Sequence, residues 1–94
     1  MILNFKDRLT EAAFNGTAVK GFPAALLGVT RRKLRYLHAA HVLDDLRAPP
    51  GNRLEALTGD RKGQHSIRVN DQFRICFVWT PNGPTEVEFV DYHA

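Results

Sequence analysis

Ninety-four residues, 44% of them hydrophobic and 24% charged, supply enough apolar material for one packed core and too little chain for two, so one domain over residues 1–94 is expected. This composition excludes a disordered or low-complexity chain, and no apolar run approaches the roughly 20 residues of a membrane-spanning helix. The net charge of +3 resides in the first half: residues 1–50 hold eight Lys and Arg against four acids, and residues 51–94 hold five against six.

Met1–Asp7 lacks the charged-then-apolar layout of a secretion signal, so the expected location is the cytoplasm, with no membrane partner. Met1–Phe5 reads as a short strand. Lys6 or Asp7 then opens a first helix, with Leu9, Ala12 and Ala13 at helical spacing until Gly16 ends it. A second, longer helix begins near Pro23 and gathers Leu26, Leu27, Leu34, Leu37 and Ala40 on one face. Gly28 and the β-branched Val29 and Thr30 weaken its middle, which leaves its continuity open. The cluster Arg31-Arg32-Lys33 with Arg35 lies on this helix. Such a cluster attracts phosphate backbones, and it is also what the outer face of an ordinary helix carries. His41–Leu46 adds a short helical turn before Ala48-Pro49-Pro50-Gly51-Asn52, a run that cannot continue a helix.

The second half reads as sheet. Arg53–Leu57 is a short strand anchored by Leu54 and Leu57, followed by Thr58-Gly59-Asp60 and a basic loop through Gly63. His65, Ile67 and Val69 then alternate with Ser66, Arg68 and Asn70. After a turn at Asn70-Asp71-Gln72, Phe73, Ile75, Phe77 and Trp79 alternate with Arg74, Cys76, Val78 and Thr80. Pro81-Asn82-Gly83-Pro84 reverses the chain again, and Val87 and Phe89 alternate with Glu86 and Glu88 in a last strand that runs to Tyr92. The expected fold class is α+β, with two N-terminal helices packed on a mainly antiparallel sheet of four to five strands. Cys76 has no second thiol and no zinc-ligand companions, and is read as packing.

Arg68 and Arg74 occupy the polar phase of neighbouring strands, so an antiparallel register would project both from one sheet face. Two guanidinium groups there fit an anion, since each offers a planar fork matched to phosphate oxygens. Pairing with Glu86, Glu88, Asp71 or Asp91 would instead make them a surface ion-pair network, and spacing alone favours neither reading. The chain closes with Asp91-Tyr92-His93, which groups an acid, a stacking phenol and an imidazole. A solvated tail is the ordinary meaning of such an ending. No spacing of His or acids indicates a metal centre, and no cofactor is expected.

Taken together, Leu54 and Leu57 with the glycine-containing turn after Thr58, the hairpin bearing Phe73-Arg74-Ile75, and the terminal Asp91-Tyr92-His93 form a specific combination. The chain resembles the HigB toxins of bacterial type II toxin–antitoxin modules, within the RelE-like superfamily. The resemblance is dense over Pro50–Phe77 and Val90–His93, and the short strand, helix and Pro23 of the first half fit the same fold.

That resemblance implies a RelE-like two-layer fold and an endoribonuclease that cuts mRNA on the ribosome. It also implies inhibition by a HigA-type helix-turn-helix antitoxin, with operator DNA reached only through that partner. Arg74 then corresponds to the phosphate-facing arginine, Arg68 lies near a position often basic, and Asp91, Tyr92 and His93 match the acidic, aromatic and imidazole positions. His93 is the first candidate for proton transfer, with Glu55 as a partner base and Tyr92 as a stacking or positioning group. The chain departs from the pattern at Glu55 and Thr58, where the family carries a histidine and a lysine. Weakened or conditional cleavage follows, with Arg61 or Lys62 supplying the missing charge. The alternatives are an RNA- or ribosome-binding module, an impaired toxin acting mainly through its antitoxin, and a small structural partner protein.

Overall fold

The computed structural model describes residues 1–17 and 19–92. Helix α1 spans Arg8–Phe14; Asp7 caps it by accepting from Thr10 N at 2.7 Å, and Gly16, at φ +76°, ends it where a side chain would strain the backbone. The hydroxyl of Thr10 is fully buried and accepts from Phe89 N at 2.9 Å, so the helix is fastened to the last strand by a polar contact as well as by Ala13.

Helix α2 covers Leu27–Ala39 without a break at Gly28; the irregular segment lies one turn earlier, as a 3-10 turn over Ala24–Leu26 after the extended Pro23. Weak propensity at Gly28, Val29 and Thr30 is overridden by Leu34 and Leu37, both completely buried against the sheet. The basic cluster is divided by the same geometry. Arg31, Arg32 and Arg35 face solvent, whereas Lys33 turns inward, 7% exposed.

Four antiparallel strands lie side by side in chain order: β1 Glu55–Ala56, β2 His65–Arg68, β3 Phe73–Thr80 and β4 Gly83–Asp91. β1 is shorter than the expected Arg53–Leu57 because Arg53 sits in the left-handed region (φ 45°, ψ 57°), where no strand can begin. The anticipated N-terminal strand is reduced to one parallel bridge, Phe5 to Val87, flanked by Leu3 N to Pro84 O and Lys6 N to Val87 O. Register shifts between β3 and β4, where Cys76 opposes Glu88 but Val78 opposes Thr85. Glu86 absorbs the extra residue at φ +54°, and Asn4 Oδ1 accepts from both Glu86 N and Thr85 Oγ1 at 2.7 Å.

Ile67, Ile75, Phe77 and Val87 project from one sheet face into the core with Leu34, Leu37 and Leu46, all at or below 1% exposure. No described helix is long and apolar enough to cross a membrane.

The N-terminal segment is also held by a titratable contact. Ile2 N donates to His38 Nδ1 at 3.1 Å, which requires that nitrogen to be unprotonated. Burial, then the terminal ammonium and Arg35, lower the His38 pKa below its ordinary 6.5. The unfolded chain therefore takes up this proton first as pH falls. Stability is expected to decline as pH drops below 6.5 toward the folded-state value, and His38→Phe should remove that component of the slope in urea titrations at pH 7 and 5.

Candidate functional site

Residues directly opposite in an antiparallel pair share a face, so the register defines the side of the sheet away from the helices. One row runs Arg68, Arg74, Val90 and the next Glu55, Ser66, Cys76, Glu88. Arg68 and Arg74 are therefore cross-strand partners on one surface. Tyr92 lies next to them, its backbone N donating to Gln72 O at 2.8 Å beyond the last β4 residue.

Arg74 is the most constrained of these groups. Its side chain is 15% exposed, and Nη1 donates to Ser66 Oγ at 2.8 Å and to the carbonyl of Arg53 at 3.4 Å. Nη2 stands 3.5 Å from Glu55 Oε2, and the guanidinium carbon lies 5.7 Å from the centre of the Tyr92 ring. Ser66 on β2, the bend at Arg53, Glu55 on β1 and Tyr92 after β4 thus fix one guanidinium from four sides.

The other cations of this face are also paired. Arg68 holds Asp71 across the turn, one of the four acids whose pairing the spacing leaves open beside anion binding. Arg74 takes Glu55, a partner outside that set. Arg61 is not a spare charge: it donates to Glu88 Oε1 at 3.0 Å and to Gln64 Oε1 at 3.1 Å, and Glu88 also lies 3.8 Å from Lys6 Nζ. Lys62 is exposed just after the 3-10 turn Gly59–Arg61, and Thr58 is exposed at the start of that turn. Asp91 stands opposite Phe73, one step out of phase with the arginine row, and its Oδ2 accepts from Gln72 Nε2 at 3.1 Å. His93 lies outside the described residues.

Ser66 and Cys76 are almost completely buried on this face. Burial pushes the Cys76 thiol pKa up, against the pull of Arg61, which keeps it protonated and supports its reading as packing. His65 stacks on Phe77 with ring centres 6.3 Å apart, and its Nδ1 is buried without a hydrogen-bond partner. Among the described residues no group of three His, Cys, Asp or Glu side chains is arranged to hold a metal ion.

Behind the site lies a polar knot that sequence reasoning missed. Lys33 Nζ donates to Asn52 Oδ1 at 2.7 Å, and the fully buried Asn52 donates through Nδ2 to Leu46 O and Ala48 O, both at 3.2 Å. Burial, followed by the like charges of Arg32 and Arg68, lowers the Lys33 pKa. The knot fixes Asn52 immediately before Arg53, whose carbonyl meets Arg74. Nothing in a turn spelled Pro50-Gly51-Asn52 distinguishes a buried asparagine from a solvated one, and a lysine inside a basic run reads as surface.

The model of the family described as RelE-like toxin of the type II toxin–antitoxin system HigB matches residues 3–93. The chain is similar to Toxin HigB-1 of Vibrio cholerae serotype O1, with 40% identity over 94 residues that span 99% of this chain and 98% of that protein. It is also similar to an uncharacterized protein of Haemophilus influenzae, 36% identical over 72 residues, 77% of this chain and 70% of that protein. With the α+β architecture and the paired arginines already described, a match of this extent means that the chain belongs to the HigB family of RelE-like toxins from type II toxin–antitoxin systems.

Proposed function

We propose that this chain is an endoribonuclease that cuts mRNA bound in the ribosome and is held inactive by a HigA-type antitoxin in the cytoplasm. The observation that carries the reading is Arg74, braced by Ser66 and the Arg53 carbonyl beside Tyr92, with Arg68 directly across the strand pair. Prepositioned guanidinium groups stabilise the charge that accumulates on a phosphorus under attack. In the reaction the ribose 2′-oxygen attacks the adjacent phosphorus and its proton passes to a base. The bond to the 5′-oxygen breaks as an acid protonates the leaving group, leaving a 2′,3′-cyclic phosphate. His93 is the assigned proton carrier and Asp91 its orienting acid; Tyr92 stacks on a nucleobase, and the exposed Lys62 adds cationic density that Arg61, held by Glu88, does not.

Glu55 is assigned as a counter-ion that the scissile phosphate must displace from Arg74, since its carboxylate stands 3.5 Å from Nη2. The same contact favours a second reading, in which an occupied Arg74 leaves an impaired toxin that acts mainly by binding its antitoxin. Purified protein incubated with ribosomes and a short mRNA tests both. Cut ends carrying 2′,3′-cyclic phosphate are expected, and Glu55→Gln should tighten mRNA binding several-fold with cutting retained. Loss of cutting at undiminished binding would make Glu55 the base. No cutting by the native chain, with the antitoxin still bound, would favour the second reading.

A further inference from the structure

The exposed arginines of α2 differ from those of the sheet in their neutralisation. Arg61, Arg68 and Arg74 each hold a carboxylate of this chain, whereas among the described residues no acid stands within ion-pair distance of Arg31, Arg32 or Arg35. The largest uncompensated positive charge on one described element therefore lies on the helix layer, on the opposite side of the sheet from Arg74.

These arginines are also presented as a surface. With Gly28 they line an open groove of about 390 Å³, and Gly28 leaves its floor bare, since a Cβ there would meet nothing within 4 Å. The end of α1 holds two of the three guanidinium groups. A Cβ on Gly16 would lie 3.2 Å from Arg31 Cζ, so the bare backbone there is what lets Arg31 rest against it, and Arg35 Cζ sits 5.1 Å from the centre of the Phe14 ring. Side chains already restrained lose less freedom on binding, and a guanidinium flanked by an aromatic ring and backbone keeps its outer N–H groups for an acceptor. An array of guanidinium groups that hold no carboxylate among the described residues suits a regular line of phosphates, and the apolar pocket near it, lined by Val19, Phe22, Ala24 and Leu27, encloses only about 70 Å³.

We infer that Arg31, Arg32 and Arg35 form a second nucleic-acid surface, which grips the backbone of folded RNA without reading its sequence and carries most of the salt-dependent affinity of this chain. The inference deepens the ribonuclease reading and rests on it for the identity of that RNA. A strand being cut on the sheet face cannot also lie across the helices, so the RNA held by α2 is a structured neighbour of the message.

The test measures binding of a fluorescent RNA hairpin across a salt series, with mRNA cutting on ribosomes as a separate readout. The triple variant Arg31→Gln/Arg32→Gln/Arg35→Gln is expected to lose at least about tenfold in hairpin affinity at low salt and to flatten the log–log salt slope by about 2. The triple lysine variant, which keeps the charge, should preserve the slope and guards against a folding artefact. Unchanged affinity and slope in the glutamine variant would overturn the inference, as would normal hairpin binding with lost antitoxin binding. If the native chain cuts no mRNA but the glutamine variant still loses the hairpin, the nuclease reading fails and the α2 surface stands.

Discussion

Replacing Arg74 with alanine is expected to lower the rate of ribosomal mRNA cutting by about 100- to 1,000-fold, the usual effect of removing a prepositioned donor from a charged transition state. Arg74→Lys should recover little of this. A single ammonium cannot reach Ser66 Oγ and the Arg53 carbonyl while also presenting a fork to phosphate. Antitoxin binding and the thermal unfolding midpoint serve as controls, because a general loss of structure would lower both. Cutting within threefold of the native rate, measured at saturating ribosomes, would remove Arg74 from the mechanism.

The second large effect concerns stability. Asn52→Ala takes away three hydrogen bonds, leaving the buried Lys33 ammonium without this acceptor and the Leu46 and Ala48 carbonyls without this donor. Leaving a buried charged donor without its acceptor costs about 3 kcal/mol, a large part of the total for a domain of this size. Urea unfolding measures it directly. Replacing both partners with apolar residues, Lys33→Met with Asn52→Leu, should return most of the loss, because no charge then remains to be desolvated. The sign of the pH dependence is determined by the same group. A lysine whose pKa is lowered by burial disfavours the folded state while charged, so the penalty is present at neutral pH and is relieved as pH climbs toward 10.5. Asn52→Ala should steepen that rise. A cost below 1 kcal/mol would mean that water replaces the knot.

Elements whose side chains alternate strictly were readable before any coordinates. Ile67, Ile75 and Phe77 occupy the buried phase that their spacing required, and this phase alone put Arg68 and Arg74 on the other face. Asp7 and Gly16 bounded α1 through capping chemistry that acts within a few residues. What escaped the sequence depends on contacts distant along the chain. Lys33 and Asn52 are 19 positions apart, and neither side chain carries a local signal of burial. The left-handed turn at Arg53 trimmed β1 at a residue type that rarely adopts that conformation. The pairing of Arg74 with Glu55 rather than with an acid of the hairpin depends on how β1 docks beside β2, which no single-strand pattern encodes.

Glu55 gives the sheet face an unusual independence from its medium. A dissolved ion near a guanidinium can be diluted or exchanged, but a carboxylate carried on the adjoining strand remains at the same local abundance whatever the buffer. Added electrolyte weakens this internal contact and an incoming phosphate to a similar degree, so the balance between them should shift little. With the stacking role proposed for Tyr92, which lies 5.7 Å from the Arg74 guanidinium carbon, discrimination at Arg74 would become a matter of fit: an oligonucleotide would seat a nucleobase as well as offer charge, and an unanchored anion would be turned away.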